Sequence, residues 1–187
     1  MEKRVLGKSG IDASNIGLGT YYFGGGDGSS PPSSKDIIDM IHSALDHSIN
    51  LLDTAPSYGF GHCEKIIGKA LKGRRDQAVI ATKCGLWWQD RRGSPNGQKD
   101  GKDQYISLRP DTIRTEVENS LRYLNTDYLD LLQVHKPAIP PEETPIEETM
   151  ACLMELKQEG KIRAIGVCNV SLCLLYTSPS PRDKRQS

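Results

Sequence analysis

Four residues place reactive side chains at or just beyond the ends of short apolar runs. Asp53 closes "INLLD", Lys83 closes "AVIATK", His135 closes "YLDLLQVH", and Tyr58 follows Asp53 by one short loop. A phenol ordinarily titrates near ~10, so it delivers a proton at neutral pH only where a neighbour stabilises the phenolate left behind. Lys83 offers that positive charge. A desolvated ammonium tends to lose its proton, and Asp53 offers the carboxylate that keeps it charged. His135 can hydrogen-bond a carbonyl oxygen, orient it towards Tyr58 and share in the proton transfer. A general acid positioned in this way is worth roughly 10²–10⁴ in rate, or about 3–5 kcal/mol of barrier. No side chain carries a hydride, so a reduction here needs a cofactor.

Taken singly, each residue has a plain structural explanation. An Asp at a strand end is commonly a cap or turn former, a Lys there a solvated end, and a His a satisfied structural group. Their joint placement is what points to chemistry, and that depends on the elements that carry them. "NIGLGT" (15–20), "INLLDTA" (49–55), "AVIATK" (78–83), "YLDLLQVH" (128–135) and "IRAIGVCN" (162–169) have the length and continuous apolar character of buried parallel strands. Between them, "KDIIDMIHSALDHS" and "SLRPDTIRTEVENSLRYL" repeat apolar residues at three and four, one stripe of a helix. A third helix is predicted from 145 to about 159, opened by a capping box at Thr144-Pro145-Ile146-Glu147, with Gly73 and Gly160 closing two helices.

Strand and helix in alternation predict βαβ units on a parallel sheet, an α/β fold. No G-x-G-x-x-G opens a helix after the first strand, which favours a (β/α) barrel over a doubly wound sheet. "KRVLGKSGIDAS" predicts a small hairpin ahead of the barrel that plugs one end. In such a barrel the strand C-termini share one face, gathering Gly19-Thr20, Asp53, Lys83, His135 and Cys168-Asn169. "WWQDRRGSPNGQKDGKDQY" (87–105) reads as a solvated or substrate-facing loop, with Trp87 or Trp88 as an aromatic wall.

The 24 basic and 24 acidic residues give a formal net charge of zero, which speaks against nucleic acid or an acidic membrane as a partner. No apolar run approaches a membrane span and Met1-Glu2-Lys3-Arg4 leads into no apolar leader, so a cytoplasmic protein is expected. The five cysteines form no C-x-x-C pair and are expected to be reduced thiols. No metal site is expected: only His135 and Asp53 stand at strand ends as ligands, too few to hold an ion.

These segments resemble the aldo/keto reductase family. "NLLDTAPSYGFGHCEKIIGKAL" is similar to the family's Asp-Thr-Ala-x-x-Tyr-Gly segment, "VIATKCG" to its lysine strand, "SLRYLNTDYLDLLQVHKP" to its histidine segment, and "GKIRAIGVCNVS" to its fifth strand. Among subgroups the resemblance is to the bacterial general-stress-type members, on "IATKCGLWWQ" and "KIRAIGVCN". It implies a (β/α)8 TIM barrel, a catalytic tetrad of Asp53, Tyr58, Lys83 and His135, and NADPH-dependent reduction of a small aldehyde or ketone. It also implies a nicotinamide held against Gly19, Thr20, Tyr21, Asp53 and Asn169. Cys168 stands where the family usually has Ser, and Lys136 where a Trp often follows the histidine.

The resemblance covers residues 3–172, and the barrel part, 1–172, supplies the hairpin and about five of eight strands. Residues 173–187 are expected to be a non-native or disordered tail, because "CLLYTSPSPRD" (173–183) matches what a common transposase sequencing adapter encodes in one frame. An unclosed barrel leaves two sheet edges, so a chain of this extent is expected to aggregate or stay molten and to turn over little. Two other readings stand beside the reductase: a non-catalytic, cofactor-binding regulatory relative, and a chain with no function as written.

Overall fold

The computed structural model describes residues 1–25 and 30–171. Strands β1 (Lys3–Val5) and β2 (Asp12–Ser14) pair antiparallel as the predicted hairpin. There follow β3 (Gly17–Gly19), α1 (Ser34–Asp46), β4 (Leu51–Asp53), α2 (His62–Ala70) and β5 (Val79–Cys84). After β6 (Leu86–Trp87), β7 (Ser94–Lys99) and β8 (Lys102–Ile106) come α3 (Pro110–Leu124), β9 (Leu129–Val134), α4 (Ile146–Gln158) and β10 (Ile162–Val167).

Five strands make one parallel sheet in the order β10-β9-β5-β4-β3. Spatial order follows chain order without reversal. A doubly wound sheet would reverse at a switch point, so this is the progression of a barrel wall.

Successive side chains on a strand point to opposite faces. Leu51, Val79, Leu131 and Ala164 therefore share the inner face, where they pack on Ile11 and Ala13 of the hairpin. The hairpin covers the end of the wall at which the strands begin. Leu52, Ile80, Leu132 and Val134 face outwards and meet the helices. On α1 the stripe Ile37, Ile41 and Leu45 is buried, and Ser33 caps the helix by accepting from the Asp36 amide at 3.2 Å. On α3 the stripe is Ile113, Val117, Leu121 and Leu124. Gly73 and Gly160 take the left-handed conformation expected of them, with φ of 76° and 77°.

Two local expectations are corrected. Thr144 caps nothing: the N-cap of α4 is Pro145, extended at φ −54° and ψ 137°, with no side-chain cap. Its carbonyl accepts from the amides of Glu148 and Thr149, so the helix starts one residue later than a capping box at Thr144 requires. Most of the stretch 87–105 is no loop either, because β6, β8 and β7 form a small antiparallel sheet and only residues 88–93 and the turn at 100–101 lie outside its strands. Its tight turn is Asp100-Gly101, both at positive φ (49° and 74°), as a two-residue hairpin demands. Trp87 is 1% exposed and donates through Nε1 to Asp90 at 2.8 Å, so it is no aromatic wall; Trp88 packs edge-on against Phe60.

One polar cluster sits in the layer between sheet and helices. Thr82 faces outwards from β5 and donates to Glu64 of α2 at 2.7 Å, and Glu116 of α3 accepts from the Gly85 amide at 2.7 Å. Burial raises the Glu64 carboxyl to about 7 and pushes Glu116 well above the ordinary carboxylate range. An acid whose pKa rises on folding binds its proton more tightly in the folded state. Glu64 therefore withdraws stability as pH rises from its unfolded value of 4.5 through 7, a loss of about 3 kcal/mol. Glu64→Gln is expected to remove most of that loss, read as the difference between urea unfolding at pH 5 and pH 8; an unchanged difference would contradict it.

Candidate active site

The C-terminal ends of the parallel strands open onto one face. Asp53 ends β4, Lys83 lies one residue before the end of β5, and His135 follows β9 directly. The period of two that turns Leu51, Val79 and Leu131 inwards also turns Asp53, Lys83 and His135 inwards. This accounts for a charged layer above an apolar one on the same inner wall.

Lys83 is the hub. Its Nζ donates to both carboxylate oxygens of Asp53 at 2.9 Å, to the Thr54 carbonyl at 2.9 Å and to the Tyr58 hydroxyl at 3.3 Å. The lysine side chain is 5% exposed and that of Asp53 is 43% exposed, so the ion pair straddles the boundary with solvent. The Tyr58 and His135 rings meet edge-on with centroids 6.0 Å apart, and Tyr21 packs edge-on against Tyr58 at 5.2 Å.

Local backbone chemistry sets these positions. The Thr20 amide donates to the Asp53 carbonyl at 3.0 Å, and the His135 amide to the Cys84 carbonyl at 2.9 Å, which extend the sheet ladder by one step. The turn after β3 (Tyr21–Gly24) approaches the loop carrying Tyr58 so closely that a Cβ on Gly24 would lie 2.7 Å from the Gly59 nitrogen. Only a glycine at 24 permits that approach, which brings Tyr21 against Tyr58.

Burial dominates the electrostatics. It raises the Tyr58 phenol above its ordinary value, although the Lys83 charge and hydrogen bond both act to lower it. The sequence-based expectation considered only the lysine. The outcome is a phenol that holds its proton at neutral pH beside a cation placed to stabilise the phenolate. His135 is pulled down to about 4, first by burial and then by the charges of Lys83, Lys136 and Lys99. At neutral pH it is a neutral imidazole that hydrogen-bonds without acting as an acid.

Asn169, at φ 55°, donates through Nδ2 to the His135 carbonyl at 2.8 Å and to Cys168 Sγ at 3.0 Å. Asn169 itself is exposed. Thr20 is fully buried, yet its Oγ1 has no partner among the described residues. Gly19 has open space where a Cβ would stand, and Tyr21 is 39% exposed. A planar amide-bearing ring suits this set: an open wall at Gly19, an unmatched hydroxyl, an exposed aromatic and an exposed side-chain amide.

All eight sequence-selected residues thus line one mouth, with Tyr58, Lys83 and Asp53 in direct contact. The Thr54 carbonyl, Lys99 and Asn96 complete the surroundings. None of the three carries a sequence signal, since the first is backbone and the others arrive through the turn between β7 and β8.

The sequence profile of the aldo/keto reductase family matches residues 15–177. The NADH-specific methylglyoxal reductase of Escherichia coli is 47% identical over 172 residues, covering 91% of this chain and 52% of that protein. Among solved structures, the holo form of an aldo-keto reductase from Bacillus halodurans aligns with a TM-score of 0.78 at 34% identity, over 94% of this chain and 53% of that one. An aldo-keto reductase from Klebsiella pneumoniae in complex with NADPH aligns at 0.68 with 28% identity, over 92% of this chain and 51% of that one. The chain spans about half the length of these relatives, and its five-stranded parallel sheet and hairpin correspond to part of their barrel.

Proposed function

Since this chain belongs to the aldo/keto reductase family, we propose that it contributes the proton-delivery half of a carbonyl reductase site, with Tyr58 as the donor. The observation that carries this reading is the Lys83 ammonium held between the Asp53 carboxylate and the Tyr58 hydroxyl at the strand ends. A nicotinamide dinucleotide supplies the hydride when bound, and Gly19, Thr20, Tyr21, Asp53 and Asn169 are the residues that would hold its ring.

The remaining steps belong to the chain. His135, neutral at working pH, donates to the substrate oxygen and turns it towards Tyr58. Tyr58 gives its proton as negative charge grows on that oxygen, and Lys83 stabilises the phenolate. Asp53 keeps the ammonium in place. The substrate is a small aldehyde or ketone.

NADPH is the cofactor we propose first. The 2′-phosphate that distinguishes it from NADH lies at the adenosine end, remote from these residues, and the Escherichia coli relative is named NADH-specific. We also read residues 173–187 as non-native; they lie outside the described residues, and the family match runs to 177. Sequencing the gene through codon 172 is expected to show a further barrel strand; codons for "CLLYTSPSPRD" and a stop would overturn this.

Turnover is proposed for the full-length gene product, with residues 1–187 alone giving little. That product is expected to oxidise NADPH or NADH when methylglyoxal is added. No aldehyde-dependent oxidation of either nucleotide would reject the reading.

A further inference from the structure

The hairpin of β7 and β8 brings a second cation to the mouth of the site. Lys99, last residue of β7, sets its Nζ 4.8 Å from the centre of the Tyr21 ring and 5.8 Å from that of Tyr58. Among the described residues its one hydrogen bond is a long contact of 3.5 Å to the Ser57 carbonyl. Three residues earlier on the same strand, Asn96 accepts from Lys136 Nζ at 3.1 Å, and Lys136 follows His135 in the chain. Two ammonium groups therefore flank the phenol and the imidazole. Among the described residues neither forms an ion pair, whereas Lys83 is neutralised by Asp53. The mouth carries an excess of positive charge although the whole chain has a formal net charge of zero.

An ammonium has three N–H donors, and Lys99 spends one on a weak contact. Its proximity to aromatic faces is worth little at a solvent boundary. A carboxylate would satisfy the unused donors with short charge-assisted bonds, beside the hydroxyl that receives the substrate oxygen. A hydrophobic aldehyde offers them nothing.

We propose that Lys99, assisted by Lys136, selects substrates bearing an anionic group next to the reacting carbonyl, with 2-oxo carboxylates as the simplest class. This rests on the carbonyl-reductase reading. The hydride goes to the carbonyl carbon and the Tyr58 proton to its oxygen, so a 2-oxo acid becomes a 2-hydroxy acid and the nicotinamide is oxidised. The carboxylate is unchanged and serves as the handle.

Glyoxylate and methylglyoxal make a matched pair, an aldehyde beside a carboxylate and an aldehyde beside an acetyl group of similar size. In the full-length product, Lys99→Met is expected to lower kcat/KM for glyoxylate about tenfold, chiefly through KM, and to leave methylglyoxal within twofold. Lys99→Arg is expected to keep most of the glyoxylate rate. An equal loss on both aldehydes, or a raised KM for the nucleotide in place of the aldehyde, would overturn the proposal. If neither aldehyde is reduced, the reductase reading fails by itself and binding still decides this one. Saturation-transfer NMR on the full-length product without nucleotide should detect the methyl group of pyruvate more strongly than the acyl methyl of its neutral ester methyl pyruvate, and Lys99→Met should abolish the difference. Equal signals from the two, or a difference that survives Lys99→Met, would overturn it.

Discussion

Tyr58→Phe is expected to lower kcat for aldehyde reduction by about 10²–10⁴-fold in the full-length product, roughly 3–5 kcal/mol of barrier, with little change in nucleotide affinity. The substitution removes one oxygen, the one that Lys83 reaches at 3.3 Å. The ring remains, so the edge-on contacts with Tyr21 and His135 persist and the loop stays in place. Burial raises the phenol's pKa, so the wild-type donor is loaded throughout the neutral range. Water is the remaining proton source in the variant, and it is not positioned. A variant within threefold of the wild type would mean that another group delivers the proton, and would revive a binding role for this chain.

The second large effect is an asymmetry between the partners of one ion pair. Asp53→Asn and Lys83→Met are both expected to abolish most turnover, because each removes the charge arrangement around Tyr58. Their stabilities should differ. Asn at 53 leaves an ammonium only 5% exposed with the Thr54 carbonyl and a phenol as its remaining partners, and breaking a buried pair from that side costs about 2–4 kcal/mol. Met at 83 leaves a carboxylate that is 43% exposed and readily hydrated, at a cost of about 0–1 kcal/mol. Urea unfolding of the two variants measures the difference directly. Equal losses would show that the burial of the ammonium is not the costly part of the arrangement.

How far this was readable from the sequence depended on the element. Strand β5 was the most legible of the parallel strands because both of its faces are covered, so it appears as the continuous apolar run "AVIATK", whereas β3 and β10 at the two edges are partly exposed. Once the strands were placed, the period of two carried Asp53, Lys83 and His135 to one face without further information. The small sheet at 86–106 was hidden for the opposite reason. Its two longer strands, β7 and β8, carry mostly polar residues, β7 contains Pro95, and a register shift between Pro95 and Gln98 breaks the alternation. Asn96-Gly97 and Asp100-Gly101 offered two competing turn signals, and the charge around them masked which one closes the hairpin. Lys99 could not be placed at the mouth without that hairpin.

Burial was the other blind quantity. Nothing in the sequence marks Glu64 and Glu116 as buried, yet both are nearly inaccessible between helix and sheet. The net rise of the Tyr58 pKa escaped for the same reason, since a sequence names the lysine nearby but not the depth at which the phenol sits.

The central claim is that the strand-end group serves a hydride transfer to a carbonyl carbon, with Tyr58 protonating the oxygen. Mass spectrometry of the alcohol formed from methylglyoxal by the full-length product, with nicotinamide dinucleotide carrying two deuteriums at C4, tests it most directly. The account predicts one deuterium bound to the former carbonyl carbon, formed at a rate that falls with Tyr58→Phe. A product whose carbon-bound hydrogen comes from solvent, or no alcohol at all, would contradict it.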